Sequence, residues 1–229
     1  MKSPAEPLSG YQSVSGYGVD VSSQRADDLD ALCLAHIGNK SAVNMLELGA
    51  GKGGQSVRMA LAGARVTAVD TYDFASAYAQ LRRQHKLGPS QLQFQAGDIS
   101  TFVQTQPQEK YTDAIMQRVL HYLPYSEAVA VLTALHGMVE DTLFVSVTGL
   151  QSAIGAEYAD AQKPVSERFC TLTPAQAEVF SITQPICLYY PEEFRALLEQ
   201  TGWQVQQCWE SAFGNSKAVC THSFRFDAL

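Results

Sequence analysis

No stretch of this chain is apolar for long enough to span a bilayer, and its N-terminus, M-K-S-P-A-E-P-L-S-G, lacks the apolar core of a secretory signal. Both absences lead us to expect a cytosolic protein with no membrane partner. Basic residues are few. The 16 Lys and Arg stand against 23 Asp and Glu, for a net charge of −7. They are scattered rather than gathered into a stripe, which argues against nucleic acid as a partner. Cysteine is sparse too. Cys33, Cys170, Cys187, Cys208 and Cys220 form no C-x-x-C pair and leave one over, which favours free buried thiols over structural zinc. There is no internal repeat and no low-complexity linker. At 229 residues the chain suits one α/β domain with a large core, as a monomer or a homodimer.

What the chain does have is a glycine-rich turn between an apolar run and a helix-like segment. Val43–Gly54 reads V-N-M-L-E-L-G-A-G-K-G-G, and a second apolar run, R-V-T-A-V-D, ends on Asp70. Glycines there let the backbone turn sharply and leave no Cβ to hold a ligand away. The helix that follows offers unpaired N–H groups in its first turn. An acid at the end of the next strand is placed to accept from both hydroxyls of a ribose. These features point to a nucleoside-containing cofactor. Gly49, Gly51 and Gly54 satisfy G-x-G-x-x-G, with Asp70 about 20 residues on, which is also the dinucleotide spacing.

Glu47 discriminates. Glu47, Gly49, Gly51 and Gly53 spell E-x-G-x-G-x-G, which resembles motif I of the class I S-adenosylmethionine (SAM) methyltransferases. An acid at the end of a buried strand would repel a pyrophosphate and suits a ligand carrying an ammonium and a sulfonium. The resemblance continues through A-G-D-I, with Asp98 and Ile99, and through T-D-A-I-M into Q-R-V-L-H-Y-L-P. It runs from about Asp27 to Phe226 and implies a Rossmann-like fold: a seven-stranded, mostly parallel sheet in the order 3-2-1-4-5-7-6, helices on both faces, and a C-terminal antiparallel hairpin. It also implies SAM as cofactor and S-adenosylhomocysteine (SAH) as product. The implied cofactor residues are Glu47, Gly49, Ala50, Gly51 and Gly53 at the turn, Asp70 and Thr71 at the ribose, Asp98 and Ile99 at the adenine, and Gln117 at the methionine end.

Local patterns place the elements. Helices are expected over Ala26–Ile37, Gly53–Leu61, Ala75–Leu87, Tyr125–Val139 and Pro191–Gln200, with a short one starting at Thr173-Pro174. Strands are expected over Leu92–Gln95, Thr112–Met116, Thr142–Val147, Trp203–Glu210 and Lys217–Phe226. Strands alternating with helices mean parallel pairing with right-handed crossovers. Residues 1–22 read as a flexible segment or flap, and 23–229 as one methyltransferase domain in which 149–190 form a variable substrate-side insert.

Methyl transfer by in-line displacement asks mainly that acceptor, carbon and sulfur be held collinear. A general base is needed only where the acceptor atom is protonated. His121, just past the fourth strand, is the candidate base, because its intrinsic pKa suits proton transfer near neutrality. The alternative is a histidine that only supports the loop. Tyr122 is a second catalytic candidate, as a wall or donor. Arg118 is placed to neutralise an acidic acceptor or the cofactor carboxylate. Tyr11–Tyr17 and the insert, with Tyr158, Arg168, Phe169, Phe180, Tyr189 and Tyr190, are expected to roof the acceptor pocket, Tyr189 and Tyr190 touching the substrate.

Missing motifs narrow the acceptor. No N-P-P-Y or D-P-P-Y follows the fourth strand, unlike amino-methyltransferases of DNA bases or glutamine. Gln117-Arg118 stands where catechol-type enzymes place an acidic metal ligand, so no metal is expected, and the paired-glutamate loop of protein arginine methyltransferases is missing. A small-molecule acceptor remains, its atom open among oxygen, nitrogen, sulfur and carbon. A nicotinamide-dependent oxidoreductase and a non-catalytic SAM-binding module are the competing readings.

Overall fold

The computed structural model describes residues 16–106 and 108–222. Tyr11 to residue 15 of the expected roof, most of the expected N-terminal flap, and the end of the last predicted strand lie outside the described residues.

Seven strands make one sheet in the order β3-β2-β1-β4-β5-β7-β6. They are β1 (Asn44–Leu48), β2 (Arg65–Asp70), β3 (Leu92–Ala96), β4 (Tyr111–Gln117), β5 (Val139–Thr148), β6 (Trp203–Glu210) and β7 (Asn215–His222). The first five run parallel, while β7 lies antiparallel between β5 and β6. Chain order reverses between β1 and β4, and in such sheets the crevice beyond the strand ends at that reversal is where ligands bind.

The helices are α1 (Asp28–Gly38), α2 (Gly54–Leu61), α3 (Ala75–His85), α4 (Ile99–Thr105), α5 (Tyr125–Met138), α6 (Pro174–Phe180) and α7 (Pro191–Gln200). Strand alternation decides which core each residue enters. Met45 and Ile115 meet Leu29, Cys33, Met59 and Tyr78 of α1–α3. Leu46, Leu48, Ala114 and Met116 meet Phe102, Val131, Leu135, Phe194 and Leu198 of α4, α5 and α7. α1 starts two residues later than predicted because Asp27 and Asp30 form a reciprocal cap, each side chain accepting from the other's backbone N–H. The same alternation turns Asp113 toward α1, where Lys40 (2.9 and 3.0 Å) and His36 (2.8 Å) surround its fully buried carboxylate. Those partners hold its pKa below the usual carboxylate value against the cost of burial.

Residues 149–190 build a third core of their own from Leu150, Tyr158, Leu172, Ile182, Ile186 and Leu188, against which Tyr122, Phe180 and Tyr190 pack. All five cysteines are free. Among the described residues no helix is long and apolar enough to cross a membrane.

Candidate cofactor site

The glycine turn follows β1 directly. The N–H groups of Gly49 and Ala50 donate to the Val69 carbonyl (2.9 and 3.1 Å), which ties the turn to the end of β2. Asp70 closes that strand, and both of its oxygens are held: Oδ2 accepts from the Gly51 N–H at 2.8 Å and Oδ1 from the Tyr72 N–H at 3.0 Å. Burial raises its pKa, while these two backbone bonds act the other way. Thr71 beside it is exposed.

The glycines divide by what a Cβ would meet. At Gly49 (φ +71°) it would strike Val119 at 2.2 Å, and at Gly53 (φ +88°) it would press on Leu81 and Tyr78 at 2.8 and 2.9 Å. Protein packing alone accounts for both. At Gly51 (φ +53°) nothing lies within 4 Å. That position faces open space beside Asp70, which fits the close approach of a nucleoside. At Gly54, the third glycine of the dinucleotide pattern, a Cβ would lie 2.2 Å from the Ser22 carbonyl oxygen, so the chain preceding α1 claims that position.

Glu47 is engaged within the protein. Its side chain is 7% exposed and accepts a hydrogen bond from Ser56 of α2, whose hydroxyl also pairs with Tyr78 at 2.8 Å. Burial pushes the carboxyl up to about 8, so it is mostly neutral near pH 7. Its part is to lock the start of α2 onto β1; attraction between a carboxylate and a cation is not available while it carries its proton. Asp98 is exposed and caps α4, accepting from the Thr101 N–H at 2.8 Å. Ile99 is 8% exposed in the first turn of that helix. The cap is also why α4, absent from the sequence expectations, begins there.

Past β4 the chain turns through Arg118, which holds a left-handed φ of +54°, uncommon for a side chain with a Cβ. Its N–H donates to the Ser146 carbonyl at 2.9 Å and lies 3.1 Å from the Ser146 hydroxyl. The guanidinium makes no hydrogen bond or ion pair with a described residue. Gln117 instead donates to Asp30 of α1, a carboxyl 3% exposed that sequence reasoning missed. The D-D-L-D run was its signal, being a cap and a buried acid at once.

Two of the predicted site residues lie buried in the fold. His121 lies in a short 3-10 turn (Leu120–Tyr122) and is 1% exposed. Its ring lies 3.4 Å from both the N–H and the hydroxyl of Thr148, 4.2 Å from the Tyr122 ring centre to centre, and its carbonyl accepts from the Cys187 N–H at 2.7 Å. Burial, helped by the nearby Arg118 charge, drives its pKa down to about 3. It is a neutral packed imidazole, a poor proton acceptor near neutrality. Tyr189 is fully buried with Tyr125 and Phe194 (6.5 and 6.4 Å), because Leu150 and Gly149 pair with its backbone, so it does not line an open pocket. Tyr190 is half-buried ahead of α7, its ring 5.3 Å from the Arg168 guanidinium carbon, and Arg168 is itself paired with Glu193. Tyr122 packs against the core of the insert and edge-on to Tyr17, and burial raises its hydroxyl pKa.

The sheet order, the antiparallel β7 and the carboxylate-ended β2 define a Rossmann-like methyltransferase fold. Residues 45–141, from β1 to the start of β5, match the family described as "Methyltransferase domain". A comparison with curated proteins finds no match. Among solved structures, the chain resembles 1,6-didemethyltoxoflavin-N1-methyltransferase of Burkholderia thailandensis, bound to its substrate and SAH, at 18% identity over 89% of this chain and 79% of that one, with a TM-score of 0.65. It resembles SAM-bound magnesium protoporphyrin IX methyltransferase of Synechocystis at 21% identity over 85% and 78%, TM-score 0.57. The CcbJ methyltransferase of Streptomyces caelestis matches at 14% identity over 92% and 99%, TM-score 0.61. At these identities the likeness is one of fold.

Proposed function

We propose that the protein is a cytosolic enzyme that transfers the methyl group of SAM to a small-molecule acceptor. The observation that carries this reading is the pairing of Asp70, both oxygens fixed by backbone N–H groups, with the open space at Gly51. When bound, SAM supplies an electrophilic methyl on a sulfonium. Asp70 takes the ribose hydroxyls, Gly51 leaves room for the backbone to approach the ligand, and Asp98 and Ile99 flank the adenine. Arg118, whose guanidinium pairs with none of the described residues, offers a cation to a carboxylate, either of the cofactor or of the acceptor. With His121 packed and neutral, the chemistry rests on alignment and exclusion of water, which suits an acceptor atom that needs no base.

Titration calorimetry with SAM, SAH and NAD tests the cofactor, and mass spectrometry for SAH release across a small-molecule library tests the reaction. Binding of NAD but not SAM would overturn the reading. Binding of SAM without turnover on any acceptor would leave a binding module.

A further inference from the structure

Residues 16–23 are fastened to two different parts of the site. At one end, the Gly18 N–H donates to the Ser181 carbonyl and the Thr183 N–H to the Gly16 carbonyl, both at 2.9 Å, and Tyr17 bridges Ile182 in antiparallel fashion. The partner segment, 181–183, belongs to the insert after β5. At the other end, the Ser22 carbonyl lies on Gly54 at the start of α2, so closely that no side chain fits between them. Asp20, 9% exposed, braces this end by accepting from the Ser22 hydroxyl at 2.8 Å and the Ser23 N–H at 3.0 Å.

Between its fastenings this segment carries one ring across the site. Tyr17 stands edge-on to Tyr122, 4.8 Å between centres, and to Tyr72, 5.9 Å away. Tyr72 supplies one of the two N–H groups that hold Asp70, and Tyr122 belongs to the turn beyond β4. Burial raises the pKa of the Tyr17 hydroxyl, with smaller contributions from Tyr72, Asp70 and Asp98, so both nucleoside-side acids act on it.

We propose that residues 16–23 form a strap that closes the cofactor pocket, with Tyr17 as a positioning residue that walls the nucleoside side from the acceptor mouth. This rests on the SAM reading above. Because the strap is fastened to the insert, the two pieces close together, and exchange of SAH for SAM requires the three backbone hydrogen bonds between them to open, the third running from the Gln184 N–H to the Gly16 carbonyl at 3.4 Å. Bonds beside the exposed Thr183 can break without unfolding the sheet.

The test uses the intact protein. Hydrogen exchange at the Gly18 and Thr183 amides is followed with and without SAH, and SAH dissociation is timed for wild type, Tyr17→Phe, Tyr17→Ala and Thr183→Pro, each checked by thermal unfolding. SAH should slow exchange at both amides. Tyr17→Ala, losing two aromatic contacts, and Thr183→Pro, losing a fastening, should each release SAH roughly tenfold faster, while Tyr17→Phe keeps the wild-type rate. Wild type that binds SAH, with unchanged exchange at the two amides and unaltered dissociation from Tyr17→Ala, overturns the strap alone. Wild type that does not bind SAH overturns the cofactor reading and the strap with it.

Discussion

Glu47→Gln separates the two accounts of the motif I acid. In the folded protein burial lifts the Glu47 carboxyl from 4.5 to about 8. Between those values the folded state holds a proton that the unfolded chain has released, so stability attributable to Glu47 falls as pH rises. At 1.36 kcal/mol per unit, the penalty is about 1 kcal/mol at pH 5, about 3 at pH 7 and close to its limit of about 5 above pH 8. Glutamine keeps the shape and an oxygen to accept from Ser56 but does not titrate. Whatever the buried amide costs is the same at every pH, so it cancels from the change with pH. Urea unfolding of both proteins at about pH 5 and about pH 8.5 should show wild type losing about 4 kcal/mol more than the variant. With an m-value near 3 kcal/mol per molar, that is a relative shift of over 1 M in midpoint. Parallel pH dependences would refute the argument. They would mean that Glu47 is ionised in the folded state and that the charge reading of the motif was correct.

Asp70→Ala removes an acceptor common to SAM and SAH, and calorimetry should show both weakened by at least about tenfold; unchanged affinity would take Asp70 away from the ribose. His121→Ala should lower the melting temperature, while any acid limb of the rate profile seen in wild type persists in the variant, because a group near pKa 3 does not produce a limb near neutrality. Loss of such a limb would restore His121 as the base. Asp113→Ala takes the buried carboxylate from His36 and from Lys40, which keeps its pair with Asp141, and should cost about 2 kcal/mol in denaturant, with SAH affinity unchanged because Asp113 lies before the binding end of β4. The Asp113 pKa is depressed in the fold, so its contribution is present above the unfolded value and fades as pH falls through the folded one; a difference between wild type and variant that persists undiminished into strong acid would contradict that sign.

What could be read in the residues, and what could not, follows the range of the interactions involved. The glycine turn, the strand ending on Asp70 and the alternation of strands with helices are properties of consecutive residues, and β2 does end on Asp70. Where one residue type serves two local ends, sequence reasoning chose only one. Asp98 reads as an adenine acid by resemblance and is also the cap of a seven-residue helix, while Asp30 serves a capping box with its backbone N–H and pairs with Gln117 through its carboxyl. His121 differs. Its place four residues past β4 is local, but whether its ring faces a pocket or the core is decided by Thr148 and by Cys187 of the insert, whose N–H binds its carbonyl. Tyr189 is placed in the same way, its backbone being drawn into the core by Gly149 and Leu150. The insert and the segment before α1 are placed almost wholly by such distant closures: Tyr17 on Ile182, Gly54 under Ser22, Tyr122 against the insert core. None of these leaves a periodic trace, which is why a motif can announce a nucleoside pocket while the acceptor is chosen by residues whose neighbours only the fold brings together.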